Sequence, residues 1–234
     1  GIDPKADNRW ADEPVETLPP QAAPPIAAVK PPMKDDQKVL IVTTMKNEGP
    51  FILEWIAYHR SIGVTDFIVY TNDCDNGTDE LLDLLVREGV VNIRIDNPFK
   101  ADKGPGPQWA AYQDARNQPG FAEADWVIPM DCDEFINIHV GDGTLADLFA
   151  AYPDANLFSM VWRLFGNDDT ATFDDRFITE QLIVAARLDA EKPYQARGFK
   201  TMFRNNGIFE ELGVHRPKVF DPAREAEINW IASS

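Results

Sequence analysis

The sequence is short of basic residues, cysteines and long apolar runs. Its 234 residues include 22 lysines and arginines against 39 aspartates and glutamates, a formal charge of −17 at pH 7. This charge argues against a nucleic-acid partner, because gripping a phosphate backbone requires lysine and arginine to displace counterions. No apolar run approaches the roughly 18 residues of a membrane helix, so we expect no membrane span. Two cysteines cannot form a disulfide framework, and they fit a reducing compartment.

What is present is the composition of a globular protein, with 44% hydrophobic and 11% aromatic residues. Residues 1–36 hold eight of the 18 prolines and no periodic apolar pattern, which predicts a flexible, extended leader. This leader lacks the basic start and the apolar stretch of a signal peptide, so we expect a cytoplasmic protein. Residues 37–234 are long enough for a single domain.

Strand and helix patterns alternate through the first half of this domain. Continuous β-branched runs are typical of strands buried on both faces, and apolar residues at helical spacing indicate the helices between them. The predicted strands are Val39–Met45, Asp66–Asn72, Val90–Asp96 and Asp125–Met130, followed by Asn156–Phe165 and Phe177–Arg187. The predicted helices run from Pro50 to a cap at Gly63, from an N-cap at Thr78 to Glu88, over Gln108–Asn117 and over Thr144–Ala151. This order predicts right-handed crossovers and a parallel sheet.

Polar side chains cluster where the predicted strands end. Thr43–Glu48 follow the first strand, Asn72–Asn76 the second and Asp131–Glu134 the fourth. Ligands of parallel sheets bind at the carboxyl ends of the strands, so we predict that residues 37–140 are the nucleotide-binding half of the domain. The glycine-rich fingerprints of dinucleotide folds and of P-loop proteins are missing, so something other than a helix N-terminus must neutralise a phosphate.

The strongest chemical signal is Met130-Asp131-Cys132-Asp133-Glu134-Phe135. Side chains two residues apart on an extended segment point the same way, so Asp131 and Asp133 should project together with Cys132 turned away. Adjacent carboxylates repel unless a cation lies between them. Mn²⁺ and Mg²⁺ prefer oxygen ligands and commonly bridge to substrate phosphates. We therefore predict a divalent metal site at Asp131 and Asp133, with a solvated acidic turn as the alternative and Glu134 as either structural or supporting.

An ordered series of motifs over residues 38–218 resembles the family 2-like and family 92-like glycosyltransferases. The motifs include Lys46-Asn47-Glu48-Gly49-Pro50-Phe51, Glu54-Trp55-Ile56-Ala57-Tyr58-His59, Ile68-Val69-Tyr70, Asn72-Asp73, Gln108 with Tyr112, the Asp131–Phe135 block, Lys200 and His215-Arg216-Pro217. The resemblance implies a GT-A fold, which is an α/β architecture with a Rossmann-like, mostly parallel central sheet flanked by helices and a mixed acceptor part over 141–234. It also implies a nucleotide-sugar donor and a divalent ion, Mn²⁺ or Mg²⁺, on the Asp-x-Asp motif.

The sequence departs from the family pattern at three positions. Thr71 and Asn76 stand where the family usually has aspartate, which leaves details of nucleoside recognition open. Asp175 replaces a usual glutamate before Arg176 and keeps the carboxylate. We would also expect more of the acceptor half after Ser234, so part of the acceptor site could be missing from this sequence.

Polar residues at the ends of the first two strands are candidates for the base and ribose pocket, where Glu48 or Asp73 would accept hydrogen bonds from ribose hydroxyls. The alternative is ordinary loop capping, which asparagine and aspartate favour for backbone reasons. Gln108 is a candidate for the donor site because the resemblance implies it. Lys200 is a candidate because its positive charge could pair with the diphosphate of the donor, and the alternative is an ordinary surface lysine. The predicted donor-binding residues are Thr43, Lys46, Asn47, Glu48, Asn72, Asp73, Gln108 and Lys200.

The remaining candidates concern the metal shell and the catalytic base. Among only three histidines, the resemblance implies that His215 completes the metal shell, since many enzymes of this fold use a late histidine. An inverting transfer needs a carboxylate to take the proton of the acceptor hydroxyl. The candidates for that base are Asp168, Asp169 and Asp175, with Asp174 and Glu180 in the same stretch. Asp175 stands where the family has a carboxylate.

Together these observations predict a metal-dependent glycosyltransferase. It would move a sugar from a nucleotide-sugar donor, a UDP-sugar by resemblance, to a carbohydrate or other hydroxyl acceptor with inversion. One alternative is a sugar nucleotidyltransferase, although its triphosphate loop should be richer in glycine and basic residues than Thr43–Pro50. Another alternative is a non-catalytic carbohydrate- or partner-binding domain of the same fold, in which Asp133→Asn would change nothing.

Overall fold

The computed structural model describes most of the chain that follows the proline-rich stretch. The described residues are 16–17, 37–100, 106–167, 169–172, 174–187, 198–219 and 222–232. They form two compact units. The larger unit holds the described residues between 37 and 161 and between 198 and 232, and the smaller holds 16–17 and those between 162 and 187. The predicted division into a leader over 1–36 and one domain over 37–234 stays a prediction.

Strands and helices follow one another along the described residues of both units. The strands are β1 (Glu16–Thr17), β2 (Val39–Met45), β3 (Asp66–Thr71), β4 (Ile93–Asp96), β5 (Trp126–Pro129), β6 (Leu157–Val161), β7 (Val184–Ala185), β8 (Phe199–Arg204), β9 (Phe209–Glu211), β10 (Lys218–Val219) and β11 (Trp230–Ala232). The helices are α1 (Gly49–Ile62), α2 (Thr78–Arg87), α3 (Pro107–Ala115), α4 (Pro119–Glu123), α5 (Leu145–Ala151), α6 (Ile178–Gln181) and a 3₁₀ helix (Pro222–Glu227). Within the described residues, no helix is long and apolar enough to cross a membrane.

A seven-stranded sheet with the order β11-β6-β8-β5-β2-β3-β4 forms the centre of the larger unit. Strands β5, β2, β3 and β4 run parallel to one another, and β11 runs parallel to β6. β8 runs antiparallel to both of its neighbours, β5 and β6. The prediction of an α/β fold with a mostly parallel sheet and a mixed later part is confirmed. Two short antiparallel pairs accompany it, β9 with β10 and, in the smaller unit, β1 with β7.

Helix α1 begins and ends where the sequence predicts. Pro50 lies in its first turn, where a missing amide proton costs nothing. Its buried residues, Ile52, Trp55, Ile56, His59 and Ile62, recur at helical spacing and form one stripe. Gly63 ends the helix with φ 112°, a left-handed conformation that glycine adopts without steric penalty. One face of α1 therefore packs against the sheet.

Both faces of the sheet are covered, which places the core in two layers. Along β2, Val39 and Ile41 face a layer that includes residues of α1, α2 and α5. The alternate residues Leu40 and Val42 face a second layer with Ala111, Tyr112 and Ala115 of α3. This alternation follows from the two-residue period of a strand. Polar groups of the central strands can therefore reach solvent mainly where these strands end.

Two predicted elements differ from the structure. The strand predicted over Phe177–Arg187 is wrong, because this stretch holds α6 and the two-residue β7. The side-chain amide of Gln181 donates to the carbonyl oxygens of Asp174 (3.0 Å) and Arg176 (2.6 Å), which closes the chain into a turn. Thr78 is the first residue of α2 and not its N-cap, which is Gly77. Its hydroxyl instead accepts a hydrogen bond from the amide of Gly49 at 2.9 Å and so joins the starts of α1 and α2.

Candidate functional site

The three polar loops predicted from the sequence leave adjacent strands at the same edge of the sheet. β5, β2 and β3 are neighbours and run parallel, so their carboxyl ends lie side by side. Residues 131–134 follow β5, residues 46–48 follow β2 and residues 72–76 follow β3. Ligands of open α/β sheets bind at this edge.

Asp131 is held from two directions. One of its carboxylate oxygens accepts a hydrogen bond from Nε2 of Gln108 at 2.7 Å. The other accepts one from the ammonium of Lys200 at 2.8 Å. Gln108 comes from α3 and Lys200 from β8, so a helix that covers the sheet and a strand of the sheet itself converge on one carboxylate. Nε2 of Gln108 also lies 3.1 Å from the hydroxyl oxygen of Tyr112, one turn along α3.

Lys200 is a buried cation between two carboxylates. Its side chain is 2% exposed, and its ammonium also lies 3.5 Å from Oε2 of Glu134. A buried ammonium requires paired, hydrogen-bonded partners, and these two acids supply them. The sequence assigned Lys200 to a bound diphosphate, and that role stays a prediction. Its contacts within the chain fix the acidic motif.

Glu134 has a carboxyl group whose pKa is strongly perturbed. Burial raises the pKa of its carboxyl to about 7, and the charges of Asp131 and Asp133 act in the same direction, while Lys200 and the amide of Asp131 oppose the shift. The amide of Asp131 donates to Oε2 of Glu134 at 3.0 Å. The sequence predicts either a structural or a supporting role for Glu134. Its contacts with the amide of Asp131 and with Lys200 stabilise the conformation of the loop after β5.

Asp133 has a different environment from Asp131. It is exposed, whereas Cys132 between the two aspartates is buried, and residues 132 and 133 form a turn after β5 instead of an extended segment. The charge of Asp133 contributes to a raised pKa of Glu48, although burial is the larger cause, and a hydrogen bond from Cys132 opposes the shift. Glu48 and Asp133 follow the neighbouring strands β2 and β5, and the negative charge of Asp133 disfavours ionisation of Glu48. A cation beside Asp133 would relieve that repulsion.

The predicted metal set of Asp131, Asp133 and His215 stays a prediction. Among the residues that the structure describes, no group of three or more histidine, cysteine, aspartate or glutamate side chains is arranged to hold a metal ion. His215 is exposed, and its Nδ1 donates to the carbonyl oxygen of Phe199 at 3.0 Å. Mg²⁺-like ions usually take one or two carboxylates and complete their shell with water and substrate phosphates. The oxygen donors of Asp133 and Asp131 fit an ion bound in that way.

The residues after β2 and β3 bind mainly one another. Asn47 adopts φ 62°, its amide donates to Oδ1 of Asp75 at 2.7 Å, and its amide oxygen accepts from the backbone of Asp75 at 2.9 Å. Asn76 donates to the carbonyl oxygen of Asn47 at 3.0 Å. These contacts join the two loops, which is the capping role that the sequence offered as the alternative for Asn47.

The other predicted donor-binding residues differ in their access to solvent. Thr43 is completely buried, and its hydroxyl has no hydrogen-bond partner among the described residues. Lys46 and Asp73 are exposed, and Asn72 is half-buried. Asp73 adopts φ 46°, a conformation that aspartate tolerates in turns. Lys46, Asn72 and Asp73 can therefore meet a ligand directly, while Thr43 can act only through the packing of β2.

The candidates for the catalytic base belong to the smaller unit. Asp169 and Asp175 are both exposed, and Asp169 adopts φ 56°. Asp168 lies outside the described residues. Asp174 accepts a hydrogen bond from Nε of Arg176 at 2.6 Å, which ties it into the local turn. The assignment of the base stays a prediction.

A separate pocket of about 560 Å³ opens elsewhere on the larger unit. Phe199, Thr201 and Trp230 are among its lining residues. Phe199 and Thr201 flank Lys200 along β8, so the pocket lies on the opposite face of that strand from the Lys200–Asp131 pair. None of the predicted site residues that the structure describes lines it.

Three residues of α1 that contact residues 131–136, which we call the acidic loop, were not predicted as functional from the sequence. Trp55, Tyr58 and His59 lie on one face of the helix and reach backbone atoms of Glu134 and Ile136. The available signal was the spacing of three aromatic side chains with polar ends, at i, i+3 and i+4. The motif along α1 does not reveal a partner for them, because that partner lies more than 70 residues away along the chain.

Curated relatives match a little under half of the chain. A glycosyltransferase family 92 protein of Ricinus communis is 30% identical over 112 residues, which are 44% of this chain and 18% of that protein. One of Oryza sativa is 30% identical over 120 residues, 48% of this chain and 18% of the relative. One of Arabidopsis thaliana is 31% identical over 98 residues, 42% of this chain and 16% of the relative. The chain therefore spans less than a fifth of the length of these three relatives.

The comparison with solved structures matches the mannosyltransferase PcManGT of Pyrobaculum calidifontis in complex with GDP-Man and Mn²⁺. It shares 16% identity, covers 69% of this chain and 41% of its own, and superimposes with a TM-score of 0.36. That score is too low to support an inference about function.

The family model of glycosyltransferase family 92 matches residues 42–229, which include all three polar loops, the Lys200–Asp131 pair and the described part of the smaller unit that follows Trp162. The resemblance seen in the motifs is thereby confirmed over most of the sequence. The chain belongs to glycosyltransferase family 92.

Proposed function

We propose that this chain carries a metal-dependent glycosyltransferase activity with a UDP-sugar as donor and a carbohydrate or other hydroxyl as acceptor, and with inversion at the transferred carbon. Membership of family 92 supports glycosyl transfer. The donor, the metal and the stereochemistry are parts of the proposal. The same holds for the activity of any longer protein to which the chain belongs.

The observation that carries the proposal is the charge at the edge formed by β5 and β2. Four carboxyl groups, those of Glu48, Asp131, Asp133 and Glu134, meet there with the ammonium of Lys200. Lys200 is paired with Asp131, and the exposed Asp133 adds to the raised pKa of Glu48. An anionic diphosphate would be repelled by this surface unless a divalent cation accompanied it.

The residues of the chain then have distinct tasks. Asp133, with Asp131 beside it, would hold the ion, and Gln108 and Lys200 would keep Asp131 in place. Bound Mn²⁺ or Mg²⁺ supplies Lewis acidity toward the leaving diphosphate. Lys46, Asn72 and Asp73 would contact the nucleoside. One of the predicted bases, Asp175, Asp168 or Asp169, would take the proton of the acceptor hydroxyl.

Calorimetric titration of UDP, GDP and CDP, each with Mn²⁺ and with EDTA, tests the proposal. We expect UDP to bind in the presence of Mn²⁺ and not in the presence of EDTA. Preferential binding of GDP or CDP would overturn the choice of donor but keep the metal-dependent transferase. No binding of any nucleotide by folded protein would contradict the proposal and favour a non-catalytic domain. Formation of diphosphate from a nucleoside triphosphate and a sugar phosphate would favour a nucleotidyltransferase.

A further inference from the structure

Three side chains of α1 reach across to the segment that follows the acidic motif. Trp55, Tyr58 and His59 stand at positions i, i+3 and i+4, so they lie on one face of the helix. Each has an aromatic body that packs in the core and a polar atom at its end. We call these three residues the α1 clamp.

The α1 clamp bonds to the backbone of the acidic loop at three points. Nε1 of Trp55 donates to the carbonyl oxygen of Glu134 at 2.8 Å. The hydroxyl of Tyr58 donates to the carbonyl oxygen of Ile136 at 2.7 Å. The amide of Ile136 points to Nε2 of His59 at 3.5 Å, a long contact. The main chain on both sides of Phe135 is therefore tied to one helix.

The hydrogen bonds of His59 require one form of its ring. Nδ1 lies 2.8 Å from the carbonyl oxygen of Trp55, which can only accept, so Nδ1 carries the proton. Nε2 is then the atom that accepts from Ile136. His59 is completely buried, and within the described part of the chain no charged side chain is among its ring or hydrogen-bond contacts. The neutral ring is the form that fits.

The ring of Phe135 is held by the same residues. It packs edge-on against Tyr58, with ring centroids 5.2 Å apart, and stacks on His59 at 5.9 Å with an angle of 21°. Such pairs add to the burial of apolar surface. Backbone and side chain of the segment just beyond Glu134 are thus both fixed by α1.

The same helix begins at the loop that follows β2. Glu48 is the residue before α1, and its carbonyl oxygen accepts from the amide of Phe51 at 2.9 Å. The first turn of α1 therefore sets the position of Glu48, while its second and third turns set that of Glu134. A rigid helix between the two fixes the spacing of the carboxylates on the loops after β2 and β5.

We infer that Trp55, Tyr58 and His59 are positioning residues, which act through the backbone of residues 134–136 to hold Asp131, Asp133 and Glu134 at a fixed distance from Glu48. The functional meaning rests on the proposed metal-dependent transferase, because the spacing of the carboxylates would decide how tightly an ion and a diphosphate bind. The α1 clamp itself touches neither.

Hydrogen–deuterium exchange of the metal-free protein tests the inference directly. Tyr58→Phe removes one hydroxyl and keeps the ring that packs on Phe135. Loss of one such hydrogen bond should speed exchange of the amides of Asp131, Glu134 and Ile136 about fivefold. The matched control is Tyr70→Phe, because the hydroxyl of the buried Tyr70 donates at 2.8 Å to Asp114 of α3, which is not part of residues 131–136. It should leave exchange at residues 131–136 unchanged.

Two results would overturn the inference. One is unchanged exchange at residues 131–136 in Tyr58→Phe. The other is an equal increase in Tyr70→Phe, which would mean that any lost hydroxyl loosens the whole domain. Trp55→Phe, which removes the indole N–H bonded to Glu134, provides a second variant if Tyr58→Phe does not fold, and it should speed exchange of the same amides.

Nucleotide binding gives the functional readout. With Mn²⁺ present, we expect Tyr58→Phe to weaken the binding of UDP about tenfold and Tyr70→Phe to leave it unchanged, since only the first alters the acidic loop. Equal affinity in wild type and Tyr58→Phe would show that positioning by the α1 clamp has no functional effect. If wild-type protein bound no nucleotide with Mn²⁺, the proposed function would fail, and the exchange experiment would still decide whether the α1 clamp holds the loop.

Discussion

The ammonium of Lys200 lies 2.8 Å from Asp131, and its side chain is 2% exposed. Lys200 comes from β8, the antiparallel strand beside β5, and thus reaches the acidic motif from within the sheet. One aspartate of the motif is therefore neutralised by the chain itself, and the other, Asp133, is left exposed. Two residues that look equivalent in sequence have different electrostatic environments.

Removing the buried cation should destabilise the fold. In Lys200→Met, Asp131 and Glu134 lose their common partner and leave uncompensated charge near the core. Removal of one member of a buried pair often costs 3–5 kcal/mol, and because Asp131 is 37% exposed we expect about 2 kcal/mol here. Urea denaturation at pH 7.5 measures the loss.

Two further variants separate this effect from a general effect of lost charge. Lys218→Met removes a lysine that is 71% exposed and lies 2.9 Å from Glu211, and it should change the free energy of unfolding by less than about 0.5 kcal/mol. Asp131→Asn added to Lys200→Met should recover part of the loss. A loss in Lys200→Met no larger than in Lys218→Met would refute the pairing.

The sequence predicted the parts of the fold whose signals are local. β2 and α1 follow from an unbroken apolar run and from a buried stripe, and Gly63 ends α1 as its left-handed conformation requires. The strand expected over Phe177–Arg187 failed because the bonds of Gln181 to Asp174 and Arg176 close a turn. No apolar pattern reveals such side-chain bonds to the backbone.

The candidate site was predictable only as far as its loops. Parallel strands bring their carboxyl ends together, so the nearness of Glu48 to Asp133 follows from topology. The pairing of Asp131 with Lys200 does not follow from topology, because Lys200 is 69 residues away along the chain and its strand, β8, runs antiparallel to β5. The sequence predicts that Lys200 pairs with a bound diphosphate, because the sequence does not reveal that its side chain is buried against Asp131.

Asp133 should be the aspartate on which metal-dependent binding depends. Asp133→Asn removes an exposed carboxylate and relieves its repulsion with Glu48, so we expect stability to change by no more than about 0.5 kcal/mol. The Mn²⁺-dependent binding of UDP should disappear. Calorimetry with Mn²⁺ and with EDTA measures binding, and thermal denaturation checks the fold. Asp154→Asn, at another exposed aspartate, should behave like wild type in both experiments. Binding that survives in Asp133→Asn would move the ion elsewhere.

The left-handed backbone of Asn47 provides a test of the link between the loops after β2 and β3. Asn47→Gly keeps φ 62° accessible but loses the two bonds to Asp75, for which we expect about 1 kcal/mol. Asn47→Ala adds the steric cost of a left-handed alanine, for a total of about 2 kcal/mol. Urea denaturation ranks the two variants. Equal losses would mean that the loop does not keep its left-handed residue once the side chain is gone.

The buried His59 should make stability fall in acid. Burial lowers its pKa to about 4, against an ordinary value of 6.5, so the unfolded chain takes up a proton that the folded chain refuses. The contribution of His59 is thus fully present above pH 6.5 and declines as the pH falls from 6.5 toward 4. Between pH 7.5 and pH 5.0 the expected decline is about 2 kcal/mol.

The difference between wild type and His59→Gln isolates this contribution. Glu134 acts in the opposite direction, because its raised pKa of about 7 favours the folded state in acid, but it is common to both proteins and cancels. Wild type should therefore lose about 2 kcal/mol relative to His59→Gln between pH 7.5 and pH 5.0, measured by urea denaturation. His139→Gln, at an exposed histidine, should follow wild type at both pH values. A difference between wild type and His59→Gln that does not change with pH would show that the ring is not kept neutral by burial, and that the form required by Trp55 and Ile136 is not the one the folded protein selects.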